Sequence, residues 1–166
     1  MTEQRYRSIF AWFRARPAAL RALRWCQSGS VAAVYVLYFG LLAVLAFRRD
    51  ARLMGAVVVP ATVFVAGTAL RAVLNRPRPY EALGFDPLFP KDTKGKSMPS
   101  RHCFSAAAIA VTACSVSVPL GVLLWVLAVG IALTRVLTGV HYPSDVLAGL
   151  AFGGIAAVLG LALPVF

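Results

Sequence analysis

Acidic side chains are scarce in this chain. Only 6 of its 166 residues are Asp or Glu, against 17 Lys and Arg, and charged residues make up 14% of the total. An ordinary soluble domain carries about 25%, so a charged, water-facing shell is not what this sequence builds. The few acids are dispersed, with no Asp/Glu cluster that would hold a metal ion through oxygen ligands. The three cysteines, Cys26, Cys103 and Cys114, show no CxxC spacing, which argues against a disulfide framework or a zinc site. They read as small buried hydrophobes. The first thirty residues are Arg-rich and lack a clean apolar stretch before an A-x-A-like site, so no cleavable signal peptide is expected. With no internal repeat and no linker, residues 1–166 are read as one domain.

Apolar residues are abundant: the hydrophobic fraction is 60%, against roughly 45–50% in soluble domains. They sit in runs, at residues 31–47, 53–70, 103–118, 121–134 and 146–166. A span needs about 20 residues, so the shorter runs borrow their flanks, and the pattern predicts five transmembrane helices. Pro60 is a tolerated interior kink. Gly149, Gly153 and Gly154 in the last run suit close helix–helix contact. The net charge of +11 would suggest nucleic acid in a soluble domain. Here most cations flank the apolar runs, as expected beside spans and anionic headgroups, and nucleic acid is not an expected partner.

Residues 5–25 mix six arginines with Ile9, Phe10, Trp12, Phe13, Leu20 and Trp25. Six guanidinium groups forbid a simple span. An amphipathic helix in the headgroup zone, apolar face toward the lipid, fits better, with Pro17 kinking or dividing it. Counting crossings from there, the polar islands 71–102 and 135–145 emerge on one side, the side of the Arg-rich N-terminus. Both histidines of the chain, His102 and His141, fall at that boundary.

Within the first island, "GKS" (Gly95–Ser97) is the end of a P-loop pattern, but the required first glycine would be residue 90, which is Pro90, and no strand precedes it. "PSRH" (Pro99–His102) instead opens a helix: Ser100 is a good N-cap, and a helix N-terminus favours anions. In the second island, Pro143 suits a first helical position, so Asp145 can reach back to His141. A carboxylate on one imidazole nitrogen leaves the other free as a base or nucleophile. Arg71, Arg76 and Arg78 precede and follow the end of the second run, and Arg suits bidentate phosphate binding; Arg76 reads as an interfacial anchor. Arginines, two histidines and one aspartate at one membrane face fit phosphoryl transfer through histidine, with no metal or cofactor required.

These residues resemble the type 2 phosphatidic acid phosphatase superfamily of integral membrane lipid phosphatases. Its motifs are K-x6-R-P, P-S-G-H and S-R-x5-H-x3-D. Here they stand as Arg71 to Arg78-Pro79, Pro99-Ser100-Arg101-His102, and Thr134-Arg135 with His141 and Asp145. Arg replaces Lys in the first, Arg101 replaces Gly in the second and Thr replaces Ser in the third. The resemblance implies an all-α integral membrane protein: a six-helix bundle of five transmembrane helices, with helix 5–25 first and interfacial. It implies His141 as the phosphate-accepting nucleophile, Asp145 as its orienting partner and His102 as general acid. Arg71, Arg78 and Arg135 would hold the phosphate, with Ser100 and the neighbouring N–H groups. Arg101 would either narrow the pocket or contact a second phosphate or a headgroup. The expected partners are a lipid phosphate and the bilayer, and the expected location is the plasma membrane, crossed several times. A polyprenyl diphosphate, phosphatidylglycerol phosphate and phosphatidic acid are the candidate substrates. A phosphotransferase using the same intermediate, or a non-catalytic binder of anionic lipid, is the alternative. Counting Lys and Arg turns the site side toward the cytoplasm, whereas many bacterial members of the family face outward.

Overall fold

Helix α1 (Glu3–Arg14) starts where Thr2 accepts a hydrogen bond from the Arg5 amide, and Glu3 pairs with Arg7 one turn on at 2.6 Å. Both devices satisfy or complement the positive end of a short helix. Its buried stripe is Tyr6 and Phe10. These rings pack on Phe85, with centroids 5.0 and 5.5 Å away, and join a cluster with Leu23 and Leu88. The helix is amphipathic as expected, but this stripe is covered by protein and not by lipid. The long first island supplies the Phe85 and Leu88 that cover it, while Trp12 stays exposed (48%).

The computed structural model describes residues 1–163, so the last three residues of the apolar run 146–166 lie outside it. Pro17 divides the N-terminal segment. Helix α2 (Pro17–Phe47) begins at it, because proline is preorganised for a first turn and cannot continue the preceding helix. Residues 17–25, read from the sequence as part of the interfacial helix, are therefore the first turns of α2. At 31 residues α2 is about 46 Å long, well beyond a hydrocarbon core of about 30 Å. Its Arg-bearing first turns have room outside that core, and the Arg24 guanidinium lies 4.9 Å over the Phe89 ring.

Helix α3 (Leu53–Leu74) holds Pro60 in its interior and stops at Asn75, which takes a left-handed conformation (φ 37°) ahead of Pro77 and Pro79. A single turn, α4 (Pro79–Ala82), interrupts the island. Helices α5 (Arg101–Val116), α6 (Val118–Leu137) and α7 (Pro143–Leu161) complete the bundle. No strand occurs among the described residues. Helices α2, α6, α7 and the α3–α4 stretch are each long and apolar enough to cross a membrane. The fifth, α5, has 16 residues and sits at the centre, packed against α2, α3, α6 and α7. Ala106, Ala107, Ala108, Ala110 and Ala113 are all buried on it. Large apolar side chains such as Phe39, Phe47, Val73, Val126 and Ile155 face outward, the belt required by lipid contact. The protein is a multi-pass, all-helical membrane protein.

The α5–α7 crossing is set by glycine. A Cβ built on Gly153 would lie 2.2 Å from the Phe104 carbonyl oxygen, and one on Gly149 2.8 Å from that of Ser100. Both obstacles are backbone, so neither can swing away. This close approach docks the start of α7, with Asp145, onto the start of α5; the Ser100 amide donates to the Asp145 carbonyl at 2.9 Å. Gly153→Val is expected to cost about 1–3 kcal/mol through overpacking, seen as a lower Tm in detergent than Gly154→Val, whose nearest neighbour is the Trp125 ring at 3.4 Å.

Candidate active site

Five chain segments end at one face of the bundle: the C-terminal ends of α3 and α6, the N-terminal ends of α5 and α7, and the 75–100 island between them. Arg71 is in the last turn of α3, where its Nη1 donates to the Pro99 carbonyl at 2.9 Å. Arg78 donates from Nε to the Gly95 carbonyl at 3.1 Å. Glu81 accepts from the Arg78 and Gly95 amides, both at 2.8 Å, and folds the island back on itself. Arg135 is in the last turn of α6; its carbonyl accepts the amides of Val140 and His141 at 3.2 Å each. That turn places His141 directly beside α6. All three guanidinium groups are buried, and Arg135 Nε has no hydrogen-bond partner.

These arginines, with His102 and His141, line one cavity of about 220 Å³, to which Thr68, Lys91, Thr93, Lys96 and Arg101 also contribute. Six of its lining residues are Lys or Arg and none is Asp or Glu. Burial of cations without a counter-charge is costly, so the cavity is built for an anion. The unpartnered Arg135 Nε is the local sign of the same thing.

His141 is buried in the loop between α6 and α7. Burial pushes its pKa below the ordinary histidine value, and the nearby Asp145 carboxylate opposes that shift. Asp145 lies in the first turn of α7, with Pro143 leading the helix as the sequence suggests. The two side chains do not make the direct hydrogen bond that their spacing suggests. Asp145 Oδ2 is 3.6 Å from His141 Nδ1, and the Ser97 hydroxyl bridges the two from one side. Ser97 Oγ donates to Asp145 Oδ2 at 2.6 Å and sits 3.2 Å from Nδ1, placed to accept its proton. Oδ2 also accepts the Tyr142 amide at 2.9 Å, and Oδ1 accepts Arg76 Nη1 at 2.7 Å.

Sequence reasoning set both Ser97 and Arg76 aside, the first as the end of a failed P-loop and the second as an interfacial anchor. No spacing rule links either to Asp145, 48 and 69 residues away. Ser100 occupies the N-cap of α5 in extended conformation, but its hydroxyl makes no capping bond and is buried without a partner. Arg101 and His102 open α5, and both reach the cavity. The Tyr6 hydroxyl of α1 donates to the His141 carbonyl at 3.3 Å, tying the N-terminal helix to the site.

A family model described as the PAP2 superfamily matches residues 52–165. The chain belongs to the PAP2 superfamily. Lipid A 1-phosphatase of Rhizobium etli is 33% identical over 113 residues, 64% of this chain and 48% of that protein. Lipid A 1-phosphatase of Rhizobium johnstonii is 31% identical over 162 residues, 93% of this chain and 59% of that protein. The chain thus spans about half the length of these two relatives. Among solved structures, Aquifex aeolicus LpxE superposes with a TM-score of 0.69 at 25% identity, over 87% of this chain and 94% of that one. The PAP2-type phosphatidylglycerolphosphate phosphatase of Bacillus subtilis, with a TM-score of 0.67 and 21% identity over 96% and 86%, shares the fold. The PAP2 match takes in all three motif segments of this chain.

Proposed function

We propose that this protein is a lipid phosphatase that removes a terminal phosphate from a membrane lipid through a phosphohistidine on His141. The observation that carries the reading is the setting of His141. Its Nδ1 side is engaged by Ser97 and, beyond it, Asp145. The ring lines a carboxylate-free cavity together with His102, Arg71, Arg78 and Arg135.

With Nδ1 protonated, Nε2 carries the lone pair. It attacks phosphorus, forming the N–P bond as the bond to the leaving oxygen breaks. His102 gives that oxygen its proton, so an alcohol leaves and not an alkoxide. The three arginines, with the N–H groups at the start of α5, hold the phosphoryl oxygens as charge gathers on them. Ser100 Oγ, buried and unpaired, is the added donor expected there. In the second half, neutralised His102 takes a proton from water, which attacks phosphorus; the N–P bond breaks and inorganic phosphate leaves. Relatives described as lipid A 1-phosphatases support a lipid carrier for the phosphate. Val73, Leu74 and Leu147, exposed apolar residues at the ends of α3 and α7 that reach the site, fit a substrate that arrives from the bilayer. The plasma membrane is the location we propose.

Purified protein in detergent, assayed for phosphate release against polyprenyl diphosphate, phosphatidylglycerol phosphate, phosphatidic acid and lipid A 1-phosphate, tests the reading. Release from at least one of them is expected. Transfer of the phosphate to an added alcohol in preference to water would instead mean a phosphotransferase, and no turnover of any would leave an anionic-lipid binder.

Lys91, Lys96 and Arg101 line the same cavity as the three arginines. Burial and the neighbouring Arg78, Arg135 and Arg101 hold the Lys91 pKa below its ordinary value, a group short of negative charge. Three arginines already match one phosphate, so these additional cations fit a second anionic group on the substrate. Arg101→Gly is expected to lower kcat/KM for a diphosphate by about 10-fold, the scale of one lost charge-assisted hydrogen bond, with less effect on a monophosphate. Equal loss on both would show that Arg101 does not read the second group.

A further inference from the structure

Asp145 acts on the imidazole without a direct hydrogen bond, from 3.6 Å away. Two residues from outside the matching motif positions fill its coordination. Arg76 Nη1 takes Oδ1 at 2.7 Å and also reaches Ser144 Oγ at 2.9 Å. Its guanidinium lies 4.4 Å over the Tyr142 ring, so it grips the whole first turn of α7. Ser97, fully buried, takes Oδ2 and stands beside His141 Nδ1. The two are joined to each other, since the Ser97 amide donates to the Arg76 carbonyl at 2.9 Å. A hydroxyl has one proton. Spent on Asp145, it leaves the oxygen as acceptor for Nδ1–H, which fixes the tautomer with Nε2 free.

We propose that Ser97 and Arg76 are positioning residues for the nucleophile, Ser97 relaying the hydrogen bond from Asp145 to His141 Nδ1 and Arg76 clamping Asp145 from its far side. The inference rests on His141 being the nucleophile. The arrangement is a relay of three groups, carboxylate, hydroxyl and imidazole, held by a cation. When Nε2 bonds to phosphorus, the imidazole becomes positive. Its Nδ1–H then leans on the Ser97 oxygen, and the Asp145 charge stabilises it through that bond. Arg76 holds the buried carboxylate in register. It also moderates the pull of that carboxylate on the His141 proton.

The ionisable groups facing the His141–Asp145 pair come from most of the surrounding elements. They are Tyr6 on α1, Arg71 on α3, Arg76, Arg78, Lys91 and Lys96 on the island, Arg101, His102 and Cys103 on α5, Arg135 on α6, and Tyr142 beside the pair. Arg76 alone among them donates a side-chain hydrogen bond to the carboxylate. Its loss acts in one direction by two routes. If Asp145 stays ionised, its unopposed charge raises the His141 pKa. If Asp145 takes a proton, the active form disappears at a higher pH. Either way the acid limb of kcat/KM moves up.

The test uses the full chain in detergent, with the lipid phosphate that the wild type turns over. Ser97→Ala is expected to lower kcat by about 100-fold, the cost of a misplaced reacting group, with KM within about twofold of wild type. Ser97→Thr, which keeps the hydroxyl, is expected to recover most of the loss. Arg76→Gln is expected to shift the acid limb up by roughly half a pH unit or more, and Arg76→Lys to return it toward the wild-type position. A shifted limb does not depend on how much protein is folded, so partial misfolding cannot imitate it. The inference is overturned if Ser97→Ala changes kcat by less than about threefold, or if Ser97→Thr is as slow as Ser97→Ala. An acid limb left in place by Arg76→Gln would overturn the clamp. His141→Ala separates this from the function itself. If His141→Ala is inactive while Ser97 and Arg76 variants behave as wild type, only the relay fails; if His141→Ala is active, the phosphohistidine reading fails first.

Discussion

His141→Ala is expected to abolish phosphate release, by at least about 10⁴-fold in kcat, the scale on which covalent nucleophiles are lost. The size follows from the chemistry. Without Nε2 there is no N–P bond, and the remaining cavity of Arg71, Arg78, Arg135 and His102 can bind a phosphate but cannot cleave its ester. Binding should therefore survive. Rapid quenching of the wild type in alkali should trap a phosphoenzyme that acid destroys, and His141→Ala should trap none. The pH profile gives an independent reading of the same residue. His141 must be neutral to attack, so protonation removes activity as pH falls. Burial depresses its pKa, so the neutral form persists further into acid, and the acid limb should lie below the ordinary histidine value of about 6.5. An acid limb above that value, or a trapped phosphoenzyme in His141→Ala, would contradict the assignment.

The second large effect concerns His102. It opens α5 and faces the same cavity as His141, so it is placed to reach the leaving oxygen of a phosphate held there. His102→Ala is expected to lower kcat on a lipid alkyl phosphate by about 10²–10⁴-fold, the usual contribution of general acid catalysis. An alkoxide is a poor leaving group and needs that proton; a nitrophenolate does not. The same variant should lose much less on an aryl phosphate such as p-nitrophenyl phosphate. Comparing the two substrates separates proton donation from loss of fold, which would depress both alike. Equal losses would assign His102 to phosphate binding and not to acid catalysis.

The parts of the site that were legible in the sequence share a physical origin. Arg71 and Arg78 stand seven residues apart across the end of α3, and His141 and Asp145 stand four apart across the start of α7. Each pair is brought near by a local element, so spacing alone carries the information. Helix ends were legible for the same reason, since Pro17 and Pro143 each lead a helix. Ser97 and Arg76 were not legible. Serine beside a failed P-loop and arginine beside a bilayer each have an ordinary explanation, and their partner lies on another polar island. The amphipathic stripe of α1 was visible, but its counterpart was not: Tyr6 and Phe10 meet Phe85 and Leu88 from the first island, where the sequence pattern suggests lipid. An apolar stripe says that something must cover it, not which surface does.

The order of residues along the chain was enough to give the class, the number of apolar helices, the common side of the polar islands, and the His, Asp and Arg residues that could act together. Composition, run length and local spacing are sufficient for that, because they depend on neighbours along the chain. The tertiary structure decided how Asp145 reaches His141, which surface α1 covers, and how closely α5 and α7 approach at Gly149 and Gly153. These are contacts between residues far apart in sequence, fixed only when the helices pack. Asp145 and His141 stand 3.6 Å apart without a direct hydrogen bond, and the Ser97 hydroxyl, 2.6 Å from one and 3.2 Å from the other, joins them from the side.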